Sequence, residues 1–441
     1  MKYWRTLILI IFVIGISIVV TELFNNKKER VENHSEQRIK IRDSFIVKNE
    51  DNDTSLIEID RFINRFMLRE GLNGGATVVI SKDGKVVYAK GYGFSNREDT
   101  ILMQPYNAMR IASVSKLITA IAVIKLVEEG KISLHQKVFG KHGILNDSSY
   151  LEYKDKRMGN VTVYHLLNHS GGWTARWGDP MFMPHAIARQ MKYELPISMK
   201  DIIHFMQEKR MHFNPGIGSV YSNFGYGILG EIVTKVSGMS YEQYIKSHIL
   251  NPLGVYDMSI GYSDKNKRLK NEVFYYEADS SYIAFDYRTK ERDSVMVRRA
   301  YGGTDIQTLG SAGGWVASAI DLIKIILTVD GYNTVPDIIS EMMLDTMVTC
   351  EKGFDPLGWR YVIDDNWYRS GTLAATSAMV ARLSNGICYV VLLNSANHRG
   401  PDLATLLRLN MDILVKQIKN WPDVDLLEND TIWQNYLINK P

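Results

Sequence analysis

Two stretches of the chain read as β-hairpins, and they stand almost the whole chain apart. Near the start, "ATVVISKDGKVVYAKGYGF" holds two β-branched runs joined through Asp83-Gly84, a pair that supplies the left-handed backbone of a tight hairpin turn. Near the end, "SAMVARL" and "ICYVVLLN" flank Asn385-Gly386 in the same manner. Between them the pattern is mostly helical with long loops, as in "TAIAVIKLVEEG" and "EIVTKVSG". This predicts an antiparallel sheet built from both ends of the chain, with flanking helices and an inserted, mainly helical lobe: an α/β (α+β) architecture of two lobes. Leu56, Ile59, Ile63 and Phe66 recur at helical spacing ahead of the first hairpin, with Gly71 as a left-handed cap. Pro401 opens a closing helix that runs to about Ile418. A chain of 441 residues suits one large domain or two lobes, and no internal repeat breaks it up.

Outside that body the N-terminus speaks of location. Lys2 and Arg5 precede the apolar run Leu7 to Val20, and no charge follows until Glu22, so residues 1–24 read as a signal peptide or an N-terminal membrane anchor. No small-x-small site closes the run and no cysteine follows it for lipidation, which favours an uncleaved anchor. Lys27, Lys28 and Arg30 just past the span run against the positive-inside rule, which long domains often override. Residues 25–54 are polar and read as a linker, residues 55–420 as the folded body and residues 421–441 as a C-terminal tail. The expected location is therefore exported: membrane-anchored, or periplasmic or otherwise extracytoplasmic. The net charge of +3 is small and no basic block is interleaved with aromatics, so nucleic acid is not expected as a partner. Cys350 and Cys388 are widely spaced, which indicates no zinc site or disulfide scaffold and leaves one bridge open.

The chemistry starts at "MRIASVSKLITA", where Ser113 and Lys116 are separated by one helical turn at the mouth of an apolar run. This is the chain's only Ser-x-x-Lys. A serine at the first turn of a buried helix sits beside unsatisfied N–H groups and the positive end of the helix dipole, both suited to an oxyanion. A lysine among apolar neighbours loses hydration, its pKa falls, and it can take a proton from a nearby hydroxyl. The competing reading is a plain N-cap serine. A second constellation, "PGIGSVYSNFGYGILG", places Tyr221 and Asn223 in the only Tyr-x-Asn of the chain, among glycines that imply close backbone approach. His165 and His169 could be read as a metal pair, but no glutamate occupies the position a zinc hydrolase needs. No metal and no organic cofactor are expected.

With both motifs in place, the chain resembles the serine β-lactamase and penicillin-binding-protein superfamily, most closely the branch of class C β-lactamases, D-alanyl-D-alanine carboxypeptidases and family VIII esterases. The resemblance is collinear over roughly residues 55 to 420: "VTVYHLLNHSGGW", "SAGGWVASAIDLIKII" and "RSGTLAATSAMVARLSNGICYVVLLN" are similar to successive family segments. It implies that Ser113 attacks a carbonyl, that Lys116 and Tyr221 share the acid and base work, and that Asn223 orients the substrate. Where the family commonly has Lys-Thr-Gly or His-x-Gly, this chain has Arg369-Ser370-Gly371. The fork of Arg369 would there hold a substrate carboxylate, Gly371 would leave room beside the strand, and the N–H of Thr372 would be a second oxyanion donor. The implied function is a serine hydrolase that forms an acyl-enzyme on an amide or ester, a D-alanyl peptide or a small ester. A true β-lactamase and a catalytically silent receptor for penicillin or peptide are the alternatives. Residues 262–310 are long, aromatic and mixed in charge; they read as a surface β-ribbon or as an insertion that shapes the substrate site.

Overall fold

The computed structural model describes residues 54–277, 283–290 and 295–438. The N-terminal apolar run and nearly all of the polar linker lie outside the described residues.

Helix α1 (Thr54–Arg69) buries Leu56, Ile59, Ile63 and Phe66 and is followed by Gly71 at φ 64°, as its pattern predicts. Strands β1 (Gly75–Lys82) and β2 (Lys85–Asn96) are joined through Asp83 and Gly84, both at positive φ, and the short β3 (Ile101–Leu102) pairs with β2. The helical middle supplies α2 (Ser115–Glu128), α3 (Asn223–Ser237), α4 (Ile306–Gly313) and α5 (Ala319–Leu327). The chain then returns to the sheet with β4 (Tyr361–Ile363), β5 (Asn366–Leu373), β6 (Thr376–Arg382) and β7 (Ile387–Leu393) before α6 (Pro401–Gln417).

The sheet has the order β4-β5-β6-β7-β1-β2-β3, antiparallel throughout. Its central seam joins the two ends of the chain, with register running from Ala76 opposite Leu393 to Lys82 opposite Ile387. Every residue of β6 and β7 is buried, because both faces are covered. On one face, α1 and α6 close a core around Ile59, Phe66, Val78, Tyr389, Leu407 and Met411. On the other, α5 packs on β1 and β7, and α2 packs against α3 and α4 to form the helical lobe.

Three expectations change. The C-terminal segment packs onto the body: α7 (Thr431–Ile438) carries a fully buried Trp433, and Asp430 ion-pairs with the buried Lys324 of α5. Cys350 is exposed and Cys388 buried, both as free thiols, so the open bridge is not formed. Residues 262–310 are more than a surface ribbon. A short ribbon exists (Ile283–Phe285 with Met296–Arg298), but the segment also cages Arg110, which donates to the carbonyls of Ala300 at 2.6 Å and Tyr262 at 2.8 Å and lies 4.3 Å from the Tyr275 ring centre. Among the described residues no helix is long and apolar enough to cross a membrane.

Candidate active site

Strand pairing delivers the nucleophile turn. Met109 and Arg110 pair with Val316 and Ala317, and the chain then passes through Ala112, a buried non-glycine at φ 47°, into the 3-10 turn Ala112–Val114 that leads α2. That conformation is costly for alanine and is held by the surrounding packing. Ser113 is not a helix cap: the N-cap of α2 is Val114 and no side chain caps it, so the Ser113 hydroxyl is available.

Lys116 is fully buried in the first turn of α2. Its Nζ lies 3.2 Å from Ser113 Oγ, donates to Asn223 Oδ1 at 2.7 Å and donates to the carbonyl of Ala312 on α4. An ammonium has three N–H donors, and all three are satisfied. Two of these partners are fixed acceptors. The Ala312 carbonyl cannot donate, and the Asn223 amide is held with its oxygen toward Lys116 because Nδ2 donates to Asp179 Oδ2 at 2.7 Å. When Lys116 loses a proton, its lone pair is left aimed at Ser113 Oγ.

Tyr221 precedes α3, whose N-cap Ser222 accepts from the N–H of Gly225 at 3.1 Å. Its hydroxyl donates to Ser113 Oγ at 2.7 Å and lies 3.4 Å from Nη2 of Arg369. The donors therefore line up in one sense, Arg369 to Tyr221 to Ser113, with Lys116 as the outlet for the serine proton. Burial, the largest influence, outweighs the opposite pull of Tyr221 and, with the charge of Arg369, brings Lys116 down to about 8. Burial works against a phenolate at Tyr221, but the charges of Lys116 and Arg369 outweigh it and hold the phenol below its ordinary value. Both groups are thus held below their ordinary values.

Arg369 enters from β5 and is 1% exposed. It does not face solvent: Nε donates to the Ser113 carbonyl at 2.8 Å, Nη1 lies 3.4 Å from the Trp359 carbonyl, and Nη2 faces Tyr221. These contacts engage three of the five guanidinium N–H donors. Gly371, expected to leave room for substrate, lies against the nucleophile turn. A Cβ there would come within 2.3 Å of the Ile111 carbonyl oxygen and 2.7 Å of the Ser113 nitrogen, so only glycine lets β5 run against the nucleophile turn. Thr372 follows on the same strand, opposite Ser377 of β6 and half-buried.

His165 and His169 do not form a pair. His165 caps the helix Val163–Leu167 by accepting from the N–H of Thr162, whereas His169 lies beyond that helix at φ 62°. Its ring packs 4.6 Å from that of Tyr221 and 5.0 Å from that of Tyr226. Burial, reinforced by Arg369 and Lys116, pushes its pKa well below the usual histidine range, so it is a neutral wall for Tyr221. Asp179 and Arg360 escaped the sequence reading. Arg360, ion-paired to Asp355, has its guanidinium 5.1 Å from the Tyr221 ring centre. Neither residue belongs to a motif, and only the folded contacts single them out.

A family model described as Beta-lactamase matches residues 59–410. "Protein flp" of Staphylococcus aureus is 29% identical over 215 residues, 48% of this chain and 40% of that protein, so the match spans about two fifths of the curated relative. Among solved structures, the octameric penicillin-binding protein homologue from Pyrococcus abyssi superposes with a TM-score of 0.60 at 26% identity, covering 85% of this chain and 79% of that one. The D-amino acid amidase from Ochrobactrum anthropi SV3 superposes with a TM-score of 0.63 over 83% of this chain and 99% of that one; at 18% identity this likeness is one of fold.

Proposed function

The chain belongs to the beta-lactamase family, and from that premise we propose that it is a serine hydrolase whose Ser113 is acylated by an amide or ester and then freed by water. The observation that carries this reading is the contact set of Ser113 Oγ, with Tyr221 donating at 2.7 Å and the buried Lys116 at 3.2 Å. The neutral Lys116 takes the serine proton as Oγ attacks the carbonyl. Tyr221, supported by Arg369, relays that proton to the leaving group. The backbone N–H of Ser113 and that of Thr372 receive the oxyanion. Asn223 holds Lys116 in register. The same pair activates the water that ends the cycle.

Of the two substrate kinds implied by resemblance, the small ester is favoured over the D-alanyl peptide. The arginine that would have clamped a terminal carboxylate is engaged inside the protein. The body works outside the cytoplasm, tethered by the apolar run Leu7 to Val20 behind Lys2 and Arg5. Retention in alkali-washed membranes, with the body digested by protease added to intact cells, tests that location; a soluble protein would overturn it.

Intact mass after incubation with a fluorophosphonate and, separately, with a penicillin tests the chemistry. One fluorophosphonate adduct on the wild type and none on Ser113→Ala is expected. Equal labelling of the Ser113→Ala variant would overturn the assignment. A penicillin adduct that persists without any ester turnover would favour the silent receptor, and rapid penicillin hydrolysis a true β-lactamase.

A further inference from the structure

A cavity of about 410 Å³ opens beside the nucleophile, with Tyr221 as one of its walls. Its size falls in the range of small-molecule sites. Trp173, Phe205, Met206 and Phe224 give it apolar surface, all four are buried, and the Trp173 and Phe224 rings meet edge-on at 4.9 Å. The lining comes from residues 173–183, 205–212 and 221–224. None of the described residues among 262–310 lines it.

The charges in this cavity are unbalanced. Its one carboxylate, Asp179, has both oxygens engaged, one by the N–H of Met181 at 3.0 Å and the other by Asn223. Lys209 and Arg210 also line it, and neither pairs with a carboxylate among the described residues. Lys209 Nζ instead lies 4.3 Å from the Phe205 ring centre, at the border of the apolar surface. A cavity with apolar walls and two uncommitted cations is complementary to an apolar chain that ends in an anion.

We propose that this cavity seats the acyl part of the substrate, an alkyl or aryl chain carrying a distal carboxylate received by Lys209 and Arg210. The proposal rests on Ser113 being the acylated nucleophile. The acyl side is assigned because a group that stays attached to Ser113 uses the cavity's binding energy in both acylation and deacylation, whereas a leaving group uses it once. The reaction is ordinary acyl transfer: the ester C–O bond breaks, a serine ester forms, the alcohol leaves with the serine proton, and water restores the hydroxyl.

The test uses 4-nitrophenyl esters with one leaving group and three acyl parts, acetate, hexanoate and the mono-ester of adipate, assayed at low and high salt. Hexanoate is expected to exceed acetate in kcat/KM by tenfold or more, since each buried methylene strengthens binding. Adipate is expected to exceed hexanoate about fivefold at low salt, with the advantage shrinking at high salt. In the double variant Lys209→Gln, Arg210→Gln the ratio of adipate to hexanoate is expected to fall to near one. Equal rates on acetate and hexanoate would overturn the acyl assignment. Hexanoate equal to or better than adipate, or a ratio untouched by the double variant, would overturn the anionic end. If no ester turns over and a fluorophosphonate leaves Ser113 unlabelled, the hydrolase reading itself has failed; labelling with a flat ester series sinks only this proposal.

Discussion

Lys116 works because its surroundings decide where its lone pair points. Ala312 and the Asp179-oriented Asn223 occupy two of its three hydrogen-bonding directions as acceptors, and the remaining direction is Ser113. With its pKa lowered to about 8, Lys116 is mostly protonated below that pH and cannot accept the serine proton. The kcat/KM of the wild type is therefore expected to rise with pH and level off above about 8. Two variants should move this limb in opposite directions. Arg369→Gln removes a like charge from Lys116 and a stabilising charge from the Tyr221 phenolate, so both groups hold protons more tightly and the limb moves up, by about one unit. Asp179→Asn removes an anion that favours charged Lys116, so the limb moves down by about half a unit. Movement of both limbs in one direction would refute this electrostatic account. Asp179→Asn should also lower kcat, because an amide at 179 no longer forces the orientation of Asn223.

The active site exists where one strand and one turn touch. Strand β5 runs against the turn Ala112–Val114 with Gly371 at the contact, and the carbonyl of Ser113 is anchored to Arg369 two residues earlier on that strand. Gly371→Ala places a methyl group where the Ile111 oxygen and the Ser113 nitrogen already are. Neither neighbour is a flexible side-chain tip, so the strand and turn must part. The expected result is a folded protein destabilised by about 1–3 kcal/mol, with kcat lowered on the order of 100-fold because Ser113 Oγ shifts from its partners. Thermal unfolding and single-turnover rates measure the two effects separately, and an undiminished acylation rate would show that the contact is only packing. The strand character of β5 came only from the family resemblance, while local sequence predicted the nucleophile as a helix start. It assigned Ser113 to the helix itself, whereas the irregular turn at Ala112 lifts it out, a conformation that no propensity of alanine announces.

The molecule closes on itself at its C-terminus. Trp433 is fully buried, stacked 5.8 Å from Tyr436, while Asp430 neutralises Lys324, whose side chain is 3% exposed. Trp433→Ala is expected to cost about 3–5 kcal/mol, the scale of emptying a buried aromatic site. Denaturant unfolding checks this, and a cost near zero would return residues 421–438 to the status of a tail. The packing was not legible because "TIWQNYLI" has no distinctive period and its partners, the turn Asn251–Leu253 and Lys324 of α5, lie far upstream in the chain.

What the sequence determined by itself is what obeys local rules. The Asp83-Gly84 and Asn385-Gly386 turns, the strand runs around them, the Gly71 helix end and the Ser-x-x-Lys spacing are all written in short windows, since backbone sterics and helical period act over a few residues. They were enough for a sheet closed from both ends and a serine beside a lysine. The tertiary structure alone decided which groups the charged side chains could reach. Arg369 reads on paper as a solvent-facing fork or a substrate clamp; in the fold its donors meet Ser113, Trp359 and Tyr221. Asp179 reads as a loop aspartate before a proline, yet it sets the orientation of Asn223 and so the basicity and aim of Lys116. Such contacts join residues tens to hundreds of positions apart, and at a few ångströms in a water-poor interior they outweigh every local preference that a sequence window can express.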